Sequence, residues 1–338
     1  MKIATAIQYF KLALRMKVYR HPFTNFRIGL HFLLIRINIL LKTKKLTISP
    51  PNIVFSLTSR CNKTCDFCHY ITELNSPEHK EDELSYDSFV EILDSEGCPS
   101  VGRICLYGGE PLLNKDFFKI LAEAKKRKFL TSIVTNGLLI TKYKSELQES
   151  NLDLMTVSYY PEDVEKIKPS LVNISKYIPI NLSYVVSNNR IDEIEKFLIY
   201  ARDINAAMVT IENLRENGIT SEESLKENEQ LKSQRVHLTE NYSKHFILRW
   251  SGFNKIDTVN LKTSCVDFWD TIFVNAKGQI SPCCQYPLNS YFGDIKKKSS
   301  SVNSLEMLKL RDQISSNQAP KNCEGCHYLY AKDPLYKS

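Results

Sequence analysis

Three cysteines crowd one short stretch of this chain. Residues 57–70 read LTSRCNKTCDFCHY, with Cys61, Cys65 and Cys68 spaced C-x3-C-x2-C. Thiolates bind zinc and iron–sulfur clusters. A structural zinc site takes four ligands, and an ordinary iron–sulfur cluster takes four thiolates. Three in one loop imply a fourth ligand from elsewhere, or one metal ion left open. Zinc patterns are usually paired, a C-x2-C with a distant second pair. His69, beside Cys68, does not complete one, because adjacent residues rarely ligate one ion together.

A second set lies near the C-terminus: Cys265, the pair Cys283-Cys284, and Cys323-x2-Cys326. Four thiolates from these positions close a full site, and zinc or a four-thiolate cluster both fit. Asp267 and Asp270 stand next to Cys265. Either is a candidate general base, set against the simpler reading of a solvated surface carboxylate. Cys98 and Cys105 lie apart and read as inert.

These residues need elements to position them. From residue 52 strand-like and helix-like segments alternate. NIVFSLT, VGRICLY, FLTSIVT, LDLMTVS, IPINLSYVV and AAMVTIEN read as six strands, separated by helical stretches of crossover length. Such alternation argues for parallel βαβ units, in an open sheet or a barrel. Function in such folds sits on loops at the carboxyl ends of strands, and the Cys61–Cys68 loop follows the first. Gly108-Gly109-Glu110 ends the second strand. Glycines let backbone approach a ligand closely, and a carboxylate suits an ammonium group. Asn136-Gly137 ends the third strand, and Ser158 the fourth; ordinary turn chemistry explains both equally well. Residues 214–262 read as a polar, helix-prone connector. DTIFVNAKGQISPCC then reads as a hairpin around Asn275–Gly278.

The chain has 338 residues, 43% hydrophobic and 25% charged, which is globular composition. With eight of ten cysteines in clusters and no secretory signal read, we expect a reducing, cytoplasmic setting and no disulfide framework. The formal charge of +7 is unevenly spread: residues 1–48 carry ten Lys/Arg and no acid, and the rest carries 35 Lys/Arg against 38 Asp/Glu, a net −3. Residues 1–48 read as two helical stretches broken at His21-Pro22, with Ile3, Ile7, Phe10, Leu14 and Val18 on one stripe. The stretch after the break is apolar nearly all round. A purely basic, amphipathic segment suits the inner face of an anionic membrane. The competing reading is a helical pair packed on the body. The same charge with Tyr9, Tyr19 and Phe23 raises nucleic acid as a partner, but the apolar stripes disfavour it.

The three-cysteine motif, with Phe67 before its last cysteine, and YGGEP at 107–111 together resemble the radical S-adenosylmethionine (SAM) enzymes. The resemblance implies an α/β fold, a partial (β/α)6 barrel, over about residues 49–213. It implies that Cys61, Cys65 and Cys68 hold a [4Fe–4S] cluster whose fourth iron takes SAM. Phe67 would then lie near the adenine. Gly108, Gly109 and Glu110 would hold the methionine end, with Glu110 facing the ammonium. Ser158 would contact the ribose, although relatives usually continue with Asp-Gly after that serine and this chain has SYYPED, and Asn136 would be a further cofactor-binding residue. The pattern from Cys265 to Cys326 resembles the SPASM/Twitch extensions, in their shorter form. It implies a small α+β domain (hairpin plus helix) over 263–338 with one auxiliary [4Fe–4S] cluster on Cys265, Cys283, Cys323 and Cys326, Cys284 being spare.

Such enzymes draw electrons from a flavodoxin- or ferredoxin-type donor. With residues 1–48 too short for a leader-recognition domain, we expect a small-molecule, sugar or lipid-linked substrate, and weakly a dehydrogenation. The alternatives are modification of a ribosomal peptide, or a non-catalytic iron–sulfur protein. An epimerisation would call on Cys98, Cys105 or Cys284 as hydrogen-atom donor.

Overall fold

A computed structural model describes residues 3–16, 22–41, 43–48, 50–68, 82–98, 102–214, 223–225, 229–253, 265–284, 286, 290–323 and 326. His69, Val18, Tyr19 and, within the 214–262 connector, residues 215–222, 226–228 and 254–262 lie outside the described residues.

The alternating segments form one sheet. Strands β1 (Asn52–Ser56), β2 (Arg103–Tyr107), β3 (Leu130–Thr135), β4 (Leu154–Ser158), β5 (Ile180–Val186) and β6 (Met208–Asn213) lie side by side in chain order, all parallel. Helices α3 (Tyr86–Asp94), α4 (Phe117–Lys126), α5 (Lys144–Glu149), α6 (Val164–Ile174) and α7 (Ile194–Asp203) make the crossovers, preceded by α1 (Ile3–Arg15) and α2 (Pro22–Leu40). The sheet stays open, as a partial barrel.

Period-two alternation decides which face is core. Ile53, Phe55, Ile104, Leu106, Ile133, Val157, Leu182 and Ile211 are buried on the helix side with Phe89, Leu121, Leu171 and Phe197. Phe55 meets Phe89 edge to face at 5.1 Å. The residues between them, including Ser56, Tyr107, Ser132, Thr156, Ser158, Ser183 and Glu212, are only partly buried and line the other face. Ser85 caps α3 by accepting a hydrogen bond from the Ser88 N–H, which fixes where the first crossover begins.

Three further strands join these six in one sheet. The connector contains α8 (Glu229–Tyr242) and then β7 (Ile247–Ser251), which extends the sheet parallel to β6. Its mixed polarity, ILRWS, hid it: only Ile247 is fully buried on this edge. The 275–278 hairpin forms as expected, β8 (Thr271–Val274) against β9 (Ile280–Ser281), with Gly278 at φ +82°. It is no free-standing unit, because β8 runs parallel to β1 and makes it continuous with the main sheet.

The N-terminal helices cross one end of this sheet. Leu12 of α1 packs with Ala207, Met208 and Ile247, at the start of β6 and β7. Arg15 donates to the carbonyls of Ser175 and Asn205, in the turns before β5 and β6. Ile28 of α2 lies against Gly102, just before β2, and Ile35 packs with Phe268 and Trp269 of α9 (Asp267–Asp270), just before β8. Both helices therefore sit at the amino ends of the strands, and the cysteine loop leaves the opposite end.

One cation ties the C-terminal part to this end. Arg311, on α10 (Leu305–Ser315), is fully buried and donates to the carbonyls of Phe268, Val302 and Lys44 and to Asn303 Oδ1. Burial pulls its pKa down to about 9, so it is still cationic at neutral pH.

Candidate functional site

The cysteine loop rests on the glycine turn after β2. Gly109 N–H donates to Thr58 O and Glu110 N–H to Arg60 O, each at 2.8 Å. A Cβ on Gly109 would fall 2.3 Å from Arg60 O, and one on Gly108, at φ +140°, 2.6 Å from Thr58 O. The close approach these glycines permit is first of all that of one loop to another. Beyond this seat the loop turns, Cys68 N–H donating to Cys65 O at 3.1 Å. Cys61 is exposed, and Cys65 and Cys68 are half-buried.

Glu110 lies at the junction of two strand ends. It is 0% exposed, and its carboxylate is taken up by the protein. Oε1 accepts from Leu112 N–H at 3.1 Å and Thr135 Oγ1 at 2.8 Å; Oε2 accepts from Asn136 N–H at 2.8 Å. Burial raises its pKa and these three bonds oppose the rise. The carboxylate thus joins the ends of β2 and β3. Asn136 carries the connection on: its Nδ2 donates to Asn62 Oδ1 at 2.7 Å and lies 3.9 Å from Cys61 Sγ.

The SYYPED segment supplies contacts the sequence reading missed. Tyr160 stacks on Phe67, ring centroids 6.3 Å apart and planes 18° apart. The Cys65 thiol donates to its hydroxyl at 3.3 Å. Lys63 sits 4.0 Å over the Tyr160 ring and pairs with Asp163 at 2.6 Å and Glu162 at 3.0 Å. Ser158, the last residue of β4, is half-buried beside Ser183 of β5. Ser183 Oγ donates to Glu212 Oε1 at 3.0 Å. Burial raises the Glu212 pKa, against that bond and the charge of Arg249. The only sequence signals for Tyr160 and Glu212 were their places, just past β4 and near the end of β6.

The second cysteine set gathers at the other end of the strands. Cys265, Cys283, Cys323 and Cys326 share one buried cluster with Ile35, Trp269, Tyr286 and Leu310. Asp267 N–H donates to the Cys265 sulfur, and Tyr286 Oη lies 3.8 Å from Cys323 Sγ. The two aspartates are not solvated surface groups. Asp270 is 8% exposed, its Oδ1 accepting from Thr271 Oγ1 at 2.8 Å, and Asp267 is half-buried. Burial, then the charge of Asp267, pushes the Asp270 pKa up to about 7. Both precede β8, and strands of five residues span roughly 15 Å, so neither joins the Cys61–Cys68 loop. A cleft runs along the partly buried face of the sheet, lined among others by Ser56, Tyr107, Gly108, Phe273 and Cys283. Burial raises the Cys98 pKa to about 12 and also raises that of Cys105, which keeps both thiols neutral.

The model of the Radical SAM superfamily matches residues 55–225, half of the chain, and that of the SPASM iron–sulfur cluster-binding domain matches residues 265–327. The chain belongs to the radical SAM superfamily. It is similar to a PqqA peptide cyclase of Granulibacter bethesdensis, 26% identical over 264 residues, covering 70% of this chain and 68% of the relative. It is also similar to a probable GTP 3',8-cyclase of Archaeoglobus fulgidus, 32% identical over 164 residues, 43% of this chain and 54% of that protein. Among solved structures, Streptococcus suis SuiB bound to S-adenosylmethionine shares the fold, with TM-score 0.63 and 16% identity over 88% of this chain and 75% of that one. The sheet and the SPASM region expected from the motifs are thus found.

A radical SAM enzyme with a SPASM domain uses SAM, a [4Fe–4S] cluster that binds it and an auxiliary cluster, and it needs an electron donor. The residues present fit these groups by donor chemistry. Both sets consist of thiols alone, one of three on an exposed to half-buried loop, one of four packed among apolar side chains. Among the described residues, no three His, Cys, Asp or Glu converge on a single ion. The described residues also contain no helix long and apolar enough to cross a membrane.

Proposed function

We propose that this radical SAM enzyme modifies a peptide. The observation that carries the reading is the likeness to peptide cyclases, which spans about two thirds of both chains. It reverses the preference for a sugar, small-molecule or lipid-linked substrate, and it favours bond formation over a simple dehydrogenation. In the fold, SuiB bound to its precursor peptide SuiA offers a parallel, at TM-score 0.62.

In this reading Cys61, Cys65 and Cys68 hold the SAM-binding cluster, and Cys265, Cys283, Cys323 and Cys326 hold the auxiliary one. A reduced cluster held by the first three thiolates would supply the electron for reductive cleavage of SAM, and so the means of abstracting a hydrogen atom from the substrate. Gly108 and Gly109 seat the cysteine loop, and their backbone faces the methionine end of SAM. Glu110 acts by holding Asn136 and the turn after β3 in place. Phe67, backed by Tyr160, forms a flat apolar wall for the adenine, and Ser158 is set for the ribose. The half-buried polar row Ser56, Ser158, Ser183 and Glu212 offers partners to amide groups of a bound backbone. A flavodoxin- or ferredoxin-type protein supplies the electron.

The test is anaerobic. The reconstituted, reduced enzyme is given SAM and the low-mass fraction of a lysate grown in deuterated medium, and 5′-deoxyadenosine is assayed for deuterium. A peptide substrate gives deuterium transfer that protease pretreatment of the fraction abolishes, and that Cys65→Ala does not support. Transfer that survives protease would return the substrate to the small molecules.

A further inference from the structure

We propose that the outer faces of α1 and α2 form a docking surface for an anionic membrane, on which both helices lie flat. Both helices are apolar on two sides. On α1, Leu12 and Met16 face the body, while Ile7, Phe10 and Leu14 stand exposed, within about 60° of one another on the opposite side. On α2, Ile28, Ile35 and Ile39 face the body. Phe26, Leu30, Leu33, Ile37, Leu40 and Leu41 are exposed on the opposite face, Phe26 at 73% and Leu40 at 81%. Of sixteen large apolar side chains exposed among the described residues, ten lie between Ile7 and Leu41, so this is one concentrated surface and not the usual scatter. Both helices cross the amino ends of the strands, so their outer faces point the same way, away from the sheet.

Charge decides the occupant. Residues 1–48 hold ten Lys/Arg and no acid, while the rest of the chain is net −3. A second copy of the same face would set like charges against each other across an apolar contact. An anionic lipid surface answers both features at once: acyl chains take the leucines and phenylalanines, and headgroups take the flanking cations. Lys11 and Lys45 are exposed, and Lys44 reaches the surface while pairing with Asp312. No described helix can span the bilayer, which leaves the in-plane arrangement. The acidic body and the Cys61–Cys68 loop then lie on the side away from the lipid.

The experiment uses the full reconstituted chain and extruded vesicles, of phosphatidylcholine alone or with about a third phosphatidylglycerol. We expect co-sedimentation with the anionic vesicles, roughly tenfold weaker when salt is raised from about 0.1 to 0.5 M, and little with the neutral ones. The triple change Leu30→Ser, Leu33→Ser, Leu40→Ser should lower binding about tenfold or more, with iron content and 5′-deoxyadenosine formation unchanged. Phe26→Trp gives a second readout on an otherwise intact surface: the emission of the introduced indole should shift to the blue with anionic vesicles and be quenched by brominated lipid. Absence of binding by a fully loaded chain, or an indole emission in the Phe26→Trp protein that is indifferent to vesicles, overturns the proposal. So does a dimer in sedimentation velocity that the triple change splits while vesicles are ignored, since the face would then join two copies.

Discussion

Tyr160 holds its hydroxyl 3.3 Å from Sγ of Cys65 while its ring stacks on Phe67. One side chain thus touches a thiol of the three-cysteine loop and the aromatic that precedes its last cysteine. With a thiolate bound to iron, the same hydroxyl becomes the donor, and hydrogen bonds to cluster sulfur raise the reduction potential. Tyr160→Phe keeps the stacking and the Lys63 contact but removes the bond. We expect full iron loading and a potential lowered by roughly 50 mV, about tenfold in a one-electron equilibrium, read by potentiometric EPR titration. An unchanged potential would mean that the hydroxyl only packs.

Gly109 carries a similar prediction about the loop's seat. Its absent Cβ would lie 2.3 Å from Arg60 O, a backbone atom that cannot swing aside. Gly109→Ala should force the two loops apart, at about 2–4 kcal/mol. Because the damage is local to the cysteine loop, iron at this cluster should be lost while the auxiliary cluster persists. Mössbauer spectra of reconstituted protein should show about half the wild-type iron. Glu110→Gln should act more gently, turning one acceptor into a donor towards Asn136 N–H, at about 1–3 kcal/mol.

Much of this arrangement is readable in the chain, and the exceptions have physical causes. The six parallel strands show because each alternates buried and open positions between crossover helices. The cysteine loop, the Gly-Gly-Glu turn and the 275–278 hairpin show because their spacing carries chemistry or turn geometry. β7 does not show, because an edge strand with one buried residue has no strong pattern. The pairing of β8 with β1 is invisible for another reason: it joins residues more than two hundred positions apart, and local sequence is silent on such register. Glu110 is visible in the sequence as part of the Gly-Gly-Glu turn, but its three donors come from Leu112, Thr135 and Asn136, which only the folded turn brings together. The stripe Ile7–Phe10–Leu14 was legible as a stripe, but its outward direction is set by Leu12 and Arg15 on the other side.

Arg311 is the strongest single support of the C-terminal part. It is fully buried and serves three carbonyls from separate segments and the Asn303 side chain. Arg311→Met fills comparable space but leaves those acceptors without their donor. The expected loss is about 3–5 kcal/mol. Thermal unfolding should fall by several degrees, and the chelator-resistant iron of the auxiliary cluster should become labile, since Phe268 anchors the segment that begins at Cys265.

Asp270 makes stability depend on pH in a direction that can be worked out. Its folded pKa is raised from an ordinary carboxylate value to about 7, chiefly by burial. The unfolded chain therefore releases this proton at lower pH than the folded one. The contribution is fully present below the unfolded pKa and is lost as pH rises through the folded one. Between about pH 6 and pH 8 the expected loss is about 1.4 kcal/mol. Asp270→Asn preserves an acceptor for the Thr271 hydroxyl and has no proton to lose. Its stability should stay flat over that interval and exceed wild type at the alkaline end, as measured by urea unfolding of reconstituted protein. Parallel pH profiles for the two proteins would show that the Asp270 carboxyl titrates normally, the charges of Arg36 and Arg103 offsetting its burial.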